Sequence, residues 1–230
     1  MPSSTRTTLY VDGFNLYYGA AKHTRLKWVN VVALAEAVLP GIWINRTRYF
    51  TALVKSTAAD PQQAQRQQTY IRALETLPNL TVHYGRYQYT KGRAKHCNPP
   101  PDLVLVHKTE EKGSDVNLAT YMLADAFRNE CDQLVVITND SDLAEPVRII
   151  NSELGLRVIV LNPHSEDTAA RKNAKTGGNH ISHPSYHLKN AADRLKDIRS
   201  HGNNCHMTQA QFPHALTDAN GTITIPANWV

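Results

Sequence analysis

The chain has 230 residues, of which 41% are hydrophobic and 20% charged, with a formal net charge of +5 and a pI near 9.1. That composition supports one large domain, or one domain with a tail, and excludes wholesale disorder; with no run of eighteen apolar residues it also excludes a spanning helix. The basic excess favours a polyanionic partner such as nucleic acid. Three cysteines with no CxxC pair exclude a disulfide framework and a zinc ribbon. The first residues, MPSSTRTTLYVDG, lack the apolar stretch of a secretory signal, so the cytoplasm is the expected compartment.

Along the chain, Thr8–Val11 reads as a short strand ending at Asp12 and Gly13. Asn30 is placed to cap a helix over VVALAEAVL, which Pro40 and Gly41 stop. Arg46–Val54 has the aromatic and β-branched content of a second strand. Asp60 and Pro61 open a long polar helix to about Leu77. Leu80–Tyr89 reads as a third strand, KGRAKHCNPPPD as a basic loop, and Leu103–His107 as a fourth strand hairpinned with the third.

Gly113 and Ser114 precede the next helix, with Asp115 in its first turn. Val116, Ala119, Leu123, Ala126 and Phe127 form its expected apolar stripe. A strand at Leu134–Ile137, a helix from about Ser141 to Leu154 and a strand at Arg157–Leu161 follow. Strands alternating with helices predict a mostly parallel sheet covered on both faces, over residues 1–162. Residues 163–230 read as a polar linker, a helix over Tyr186–Arg199 and a tail, packed on that domain or appended to it. The tail holds a candidate hairpin around GTITIP, and Trp229 is expected to dock on an apolar surface.

Acids arrive at the ends of strands from three distant segments: Asp12, then Asp115, then Asp140 and Asp142 in VVITNDSDLAEPV. In open α/β sheets functional groups gather beyond the carboxyl ends of the strands, where strand order reverses. Singly, each acid also suits a turn, a helix cap or a helix N-terminus. Together, four carboxylates repel one another and need a positive charge between them. A hard divalent cation, Mg²⁺ or Mn²⁺, is that charge: it takes oxygen ligands and needs only one or two carboxylates directly.

YVDGFNLYYG, then EEKGSDVNLATYML, then VVITNDSDLAEPV, in that order over about residues 8–161, resemble the NYN domain of LabA-like proteins, which belong to the PIN-like nuclease superfamily. The resemblance implies a PIN-like three-layer α/β/α fold and a metal-dependent ribonuclease site. By motif, Asp12, Asp115, Asp140 and Asp142 would be the metal-centred acids, and Asn15 would orient the first acid or contact phosphate. It also allows a homodimer. One departure is visible: many relatives carry an acid one to two helical turns after the KGxD aspartate, where this chain has Tyr121, and Asp125 lies further along. One ion held by the protein and a second arriving with substrate remains consistent with that set.

Lys112 precedes Gly113 and is placed either to neutralise phosphate or to sit in solvent. HYGRYQYTKGRAKH, from His83 to His96, carries Arg86, Lys91, Arg93 and Lys95 with Tyr84, Tyr87 and Tyr89 and no acid. Cations steer phosphates and aromatic faces stack single-stranded bases, so this segment is the expected RNA contact. Seven of the eleven histidines follow residue 162, but His180–His183 and His201–Cys205–His206 lack zinc spacing and read as solvated. A catalytically weak RNA-binding module and a small-nucleotide phosphohydrolase are the alternatives. A dinucleotide-dependent oxidoreductase is disfavoured, because no GxGxxG follows the first strand.

Overall fold

The structure, a computed structural model, describes residues 5–95, 103–164, 184–198 and 206–230. In chain order the elements that frame the site are β1 (Thr7–Asp12), α1 (Gly13–Leu16), α2 (Val31–Val38), β2 (Arg46–Thr51), α3 (Gln63–Leu74), β3 (Leu80–Tyr84), β4 (Arg86–Lys95), β5 (Leu103–Lys112), α4 (Ser114–Phe127), β6 (Gln133–Ile137), α5 (Ala144–Arg148), β7 (Arg157–Asn162) and β8 (Arg194–Asp197). Six strands form one sheet in the order β3-β2-β1-β6-β7-β8, and every neighbouring pair is parallel. The chain builds outward from β1 to β3, then returns to the other side of β1 and builds outward again to β8. Strand order therefore reverses between β1 and β6.

β1 and β6 are buried along their whole length, because parallel strands covered on both faces carry continuous apolar runs. Alternation then divides the core in two. Leu9, Val11, Val135 and Ile137 face Leu34, Leu74 and Trp28 on one side. Tyr10, Leu134 and Val136 face Leu118, Met122 and Val147 on the other. The expected α/β/α layering results. Asn30 caps α2 as expected, its side-chain oxygen accepting from the backbone N–H of Val32 and Ala33 at 3.1 and 3.0 Å.

Several elements differ from the sequence expectations. The third strand is interrupted at Gly85: β3 stays in the main sheet, while β4 leaves it and pairs antiparallel with β5 over ten residues. Lys91–Lys95, read as loop, lies in β4, and 96–102 fall outside the described residues. The helix predicted over Tyr186–Arg199 ends at Ala191, and Arg194–Asp197 becomes the edge strand β8. Long-range bonds decide this: the Asp193 carboxylate accepts from Val158 N at 2.7 Å, and Ile198 N donates to Asn162 O at 2.9 Å. The segment predicted as one helix from Ser141 to Leu154 is a 3₁₀ turn, α5 and a π-turn in succession.

The buried face of α4 is also rotated from the expected stripe. Leu118, Met122 and Ala126 are buried, whereas Val116 and Phe127 are 68% and 67% exposed. Asp125 accounts for the rotation, since it is fully buried on the inner face and paired there. In the tail, Ala215–Asp218 and Gly221–Thr224 form a hairpin, and Trp229 packs its ring 6.3 Å from Trp28 and 6.1 Å from Tyr70. Among the described residues no helix is long and apolar enough to cross a membrane.

Candidate active site

Asp12 ends β1 and caps α1. It is 4% exposed, and its Oδ1 accepts from Asn15 N at 2.9 Å. Its Oδ2 accepts from the Thr138 hydroxyl, just past the end of β6, at 3.1 Å. The same hydroxyl accepts from Asp140 N at 3.1 Å, so one side chain ties the first acid to the backbone of the third. Asn15 adds a second tie, its side-chain oxygen accepting from Asn139 N at 2.9 Å. Its backbone N–H thus holds the direction of the Asp12 carboxyl, while its side chain holds the turn that carries Asp140. Asp140 caps that turn and accepts from Asp142 N at 3.0 Å.

Asp115 enters from the first turn of α4. Gly113, with φ of +99°, turns the chain sharply from β5 into that helix, a conformation glycine tolerates best. Glu111 then caps α4, accepting from Ser114 N at 3.1 Å and from the Ser114 hydroxyl at 2.6 Å.

The charges of these acids reach one another. The Asp12 carboxyl is pushed up to about 7, first by burial and then by the charges of Asp115 and Asp140, against the bonds from Asn15 and Thr138. Asp115 is raised by burial and by Asp140, Glu111 and Asp142, against the Ser114 hydroxyl. None of Asp12, Asp115, Asp140 and Asp142 is in a salt bridge among the described residues. Among those residues no three His, Cys, Asp or Glu side chains form a ready-made metal cage. The donor set still suits a hard cation: it is all oxygen, mutually repelling and without a protein cation, and Mg²⁺ keeps most of its own waters.

The acid sought beyond Asp115 is not available. Tyr121 lies with its ring 4.6 Å from the Arg48 guanidinium carbon and 4.1 Å from the His83 ring. Asp125 is buried and bound by Arg48, Arg46 and the Tyr10 hydroxyl.

The β4–β5 ribbon has its base at Arg86 and Lys112, just before the turn that leads to Asp115. Register places Tyr87, Tyr89, Lys91, Arg93 and Lys95 on one face, opposite Glu111, Thr109, His107, Leu105 and Leu103, and Arg86 on the other face. Tyr87 packs edge-on against Phe14 of α1 at 6.0 Å, which turns the tyrosine face toward the α1 side of the site. Burial, then Tyr18, Glu111 and Tyr89, push its hydroxyl up to about 12. Lys112 pairs with Glu110 at 2.9 Å on the Arg86 face. Of the C-terminal histidines weighed for zinc, His180, His183, His201 and their neighbour Cys205 lie outside the described residues.

Sequence reasoning missed Thr138, Asn139, Glu111 and Ser114. Thr138 and Asn139 had a visible signal, as two polar residues directly ending an apolar strand. Glu111 had none, because its role depends on the turn at Gly113.

A curated relative, 6-hydroxy-3-succinoylpyridine 3-monooxygenase HspA of Pseudomonas putida, is 31% identical in an alignment 187 residues long that covers 70% of this chain. The chain spans 60% of that relative's length. A protein of unknown function from Vibrio parahaemolyticus, known from its crystal structure, superposes with a TM-score of 0.48 and 15% identity, over 86% of this chain and 96% of its own. A model of the NYN domain matches residues 6–199, spanning β1 through β8 and all four acids: the chain belongs to the NYN domain family, whose members are generally nucleases.

Proposed function

We propose that the chain is a metal-dependent ribonuclease that hydrolyses phosphodiester bonds of single-stranded or unstacked RNA. The observation that carries this reading is the junction of β1 and β6 at the reversal of strand order, where the Thr138 hydroxyl joins Asp12 to the backbone of Asp140, with the charges of Asp115 and Asp140 near enough to raise Asp12. Asp12, Asp115, Asp140 and Asp142 would hold Mg²⁺ or Mn²⁺, which supplies a lowered pKa for water and charge stabilisation at phosphoryl oxygens. Thr138 and Asn15 fix the direction of the Asp12 carboxylate, and Glu111 holds the helix turn that presents Asp115. The face carrying Tyr87, Tyr89, Lys91, Arg93 and Lys95 would hold the strand, with bases on the rings and phosphates on the cations.

The test is cleavage of a labelled single-stranded RNA with Mg²⁺, Mn²⁺ or chelator. Cleavage that requires the divalent ion and falls at least about 100-fold in Asp12→Asn and Asp140→Asn is expected. RNA binding without cleavage under either metal would leave the binding-module alternative. Cleavage of small nucleotides that survives removal of the ribbon cations would leave the phosphohydrolase. The same preparation, given 6-hydroxy-3-succinoylpyridine with oxygen and a reductant, is expected to leave that compound unchanged; turnover there without RNA cleavage overturns the ribonuclease reading.

A further inference from the structure

Beside α1 lies a cavity of about 480 Å³, within the range of small-molecule sites. None of the four acids lines it. Its walls include the rings of Tyr17, Tyr49, Tyr70 and Trp229, and its lining includes the cations Lys22, Lys27 and Arg66 against one acid, Asp60. We propose that this cavity binds a planar aromatic ring bearing a phosphate or carboxylate, the ring between the phenols and the anion at Lys27 and Arg66.

Three observations support the site. Tyr49 is 5% exposed, yet its hydroxyl, set against Gly13, has no hydrogen-bond partner among the described residues. Among the described residues the fully enclosed side-chain polar atom without a hydrogen-bond partner is Arg46 Nη2, so the Tyr49 hydroxyl is open to the cavity it lines, where a ligand can meet it. By contrast, the neighbouring polar groups are already paired. Tyr70 donates to Val29 O at 2.8 Å, and the Gln67 amide accepts from Val54 N at 2.8 Å and donates to Ala52 O at 2.9 Å. They make a fixed wall beside the Tyr49 hydroxyl, which is free to read a ligand edge.

The cations are the second observation. Arg66 is matched by Asp60, whereas Lys27 donates to the Thr24 carbonyl and has no ion pair among the described residues. Burial and the Arg66 charge both lower the Lys27 pKa, so two positive groups are crowded at a half-buried position, which an anion would relieve. The third is the tail. Trp229 comes from the far end of the chain to close one wall, and its ring meets those of Trp28 and Tyr70. A flat ring inserted there gains stacking area at small conformational cost. The site stands without the ribonuclease reading, since it shares no acid with it.

Calorimetry and tryptophan fluorescence test this on the full chain in a Trp43→Phe background, which removes the exposed indole. Uridine and adenosine monophosphates probe the phosphate source, and benzoate and nicotinate the carboxylate source. Ribose 5-phosphate supplies the anion without the ring. At least one ring-bearing anion is expected to quench Trp229 and bind at least about tenfold more tightly than ribose 5-phosphate. Lys27→Gln and, separately, Arg66→Gln are each expected to weaken it about tenfold, one decade per lost charged contact. Which ligand binds identifies the source: nucleotide or small aromatic acid. The proposal is overturned if no ring-bearing anion binds below about 1 mM, if ribose 5-phosphate binds equally well, or if a folded Lys27→Gln variant, judged by an unchanged melting curve, binds as the parent does. Should Lys27→Gln fail to fold, Arg66→Gln decides by the same comparison.

Discussion

Arg48 grips Asp125 with both prongs of its guanidinium, Nε to Oδ2 at 2.8 Å and Nη2 to Oδ1 at 2.8 Å. The Tyr10 hydroxyl adds a third bond at 2.6 Å, and Arg46 approaches the same oxygen at 3.1 Å. An acid that lies further along α4 than the motif position held by Tyr121 is thereby a structural clamp joining β1, β2 and α4.

That clamp has a stability consequence. Burial pushes the Asp125 carboxyl up, but the bonds from Arg48 and Tyr10 and the two arginine charges hold it below the usual carboxylate range. Its contribution is full above the ordinary carboxylate pKa and is lost as pH falls through the lower folded value. Asp125→Asn is expected to cost about 3–5 kcal/mol at neutral pH, because Arg48 and Arg46 keep their charges without a partner. Denaturant unfolding at several pH values checks this: the cost should shrink in acid.

Asp12 has the opposite sign. With its folded pKa raised to about 7, the metal-free protein holds a proton that the unfolded chain has already released above about pH 4. Stability of the metal-free protein therefore falls as pH rises from about 4 to 7, by something on the order of 4 kcal/mol. Asp12→Asn should flatten that slope. Adding Mg²⁺ or Mn²⁺ at about pH 8 should raise the melting temperature of the parent and not of the variant.

The ribbon makes a prediction about salt. If Lys91, Arg93 and Lys95 each neutralise one phosphate, replacing all three by Ala should reduce the slope of log affinity against log salt by about 2, at roughly 0.7 per contact on single strands. Arg86→Ala, on the opposite face of β4, should change it less. Anisotropy titrations of a labelled RNA over a series of salt concentrations would separate the two faces.

Gly85 tests how the ribbon is seated. A Cβ there would crowd the Glu111 carboxylate and lie 2.8 Å from Lys112 O and 2.9 Å from Ser114 N, two backbone atoms that cannot swing aside. Gly85→Ala should cost about 1–3 kcal/mol and displace the turn that presents Asp115. RNA cleavage is expected to fall by more than RNA affinity, which kinetics and binding on the same preparation would show.

The elements most legible in the sequence were those written in local pattern. The continuous apolar runs of β1 and β6, the Asn30 cap and the Gly113–Ser114 helix start depend on near neighbours, and all formed as expected. Elements settled by distant partners were not legible. Leu80–Tyr89 looks like one strand until Gly85 must fit between the β5 end and α4. Tyr186–Arg199 has helical spacing until the free edge of β7 captures Arg194–Asp197. The α4 stripe turns because Arg48 of β2, 77 residues before Asp125 in the chain, lies across from that acid.

By itself, then, the sequence determined the α/β class, the parallel strands and the order of the acid motifs, because burial periodicity and capping act over a few residues. Tertiary structure alone decided which acids meet. Asp12 and Asp140 converge because β1 and β6 are neighbours, and Asp125 is withdrawn because two arginines from β2 reach it first. A carboxylate's role follows from which charges lie within a few ångströms of it, and those distances are set by strand order, which joins residues as distant in the chain as Asp12 and Thr138.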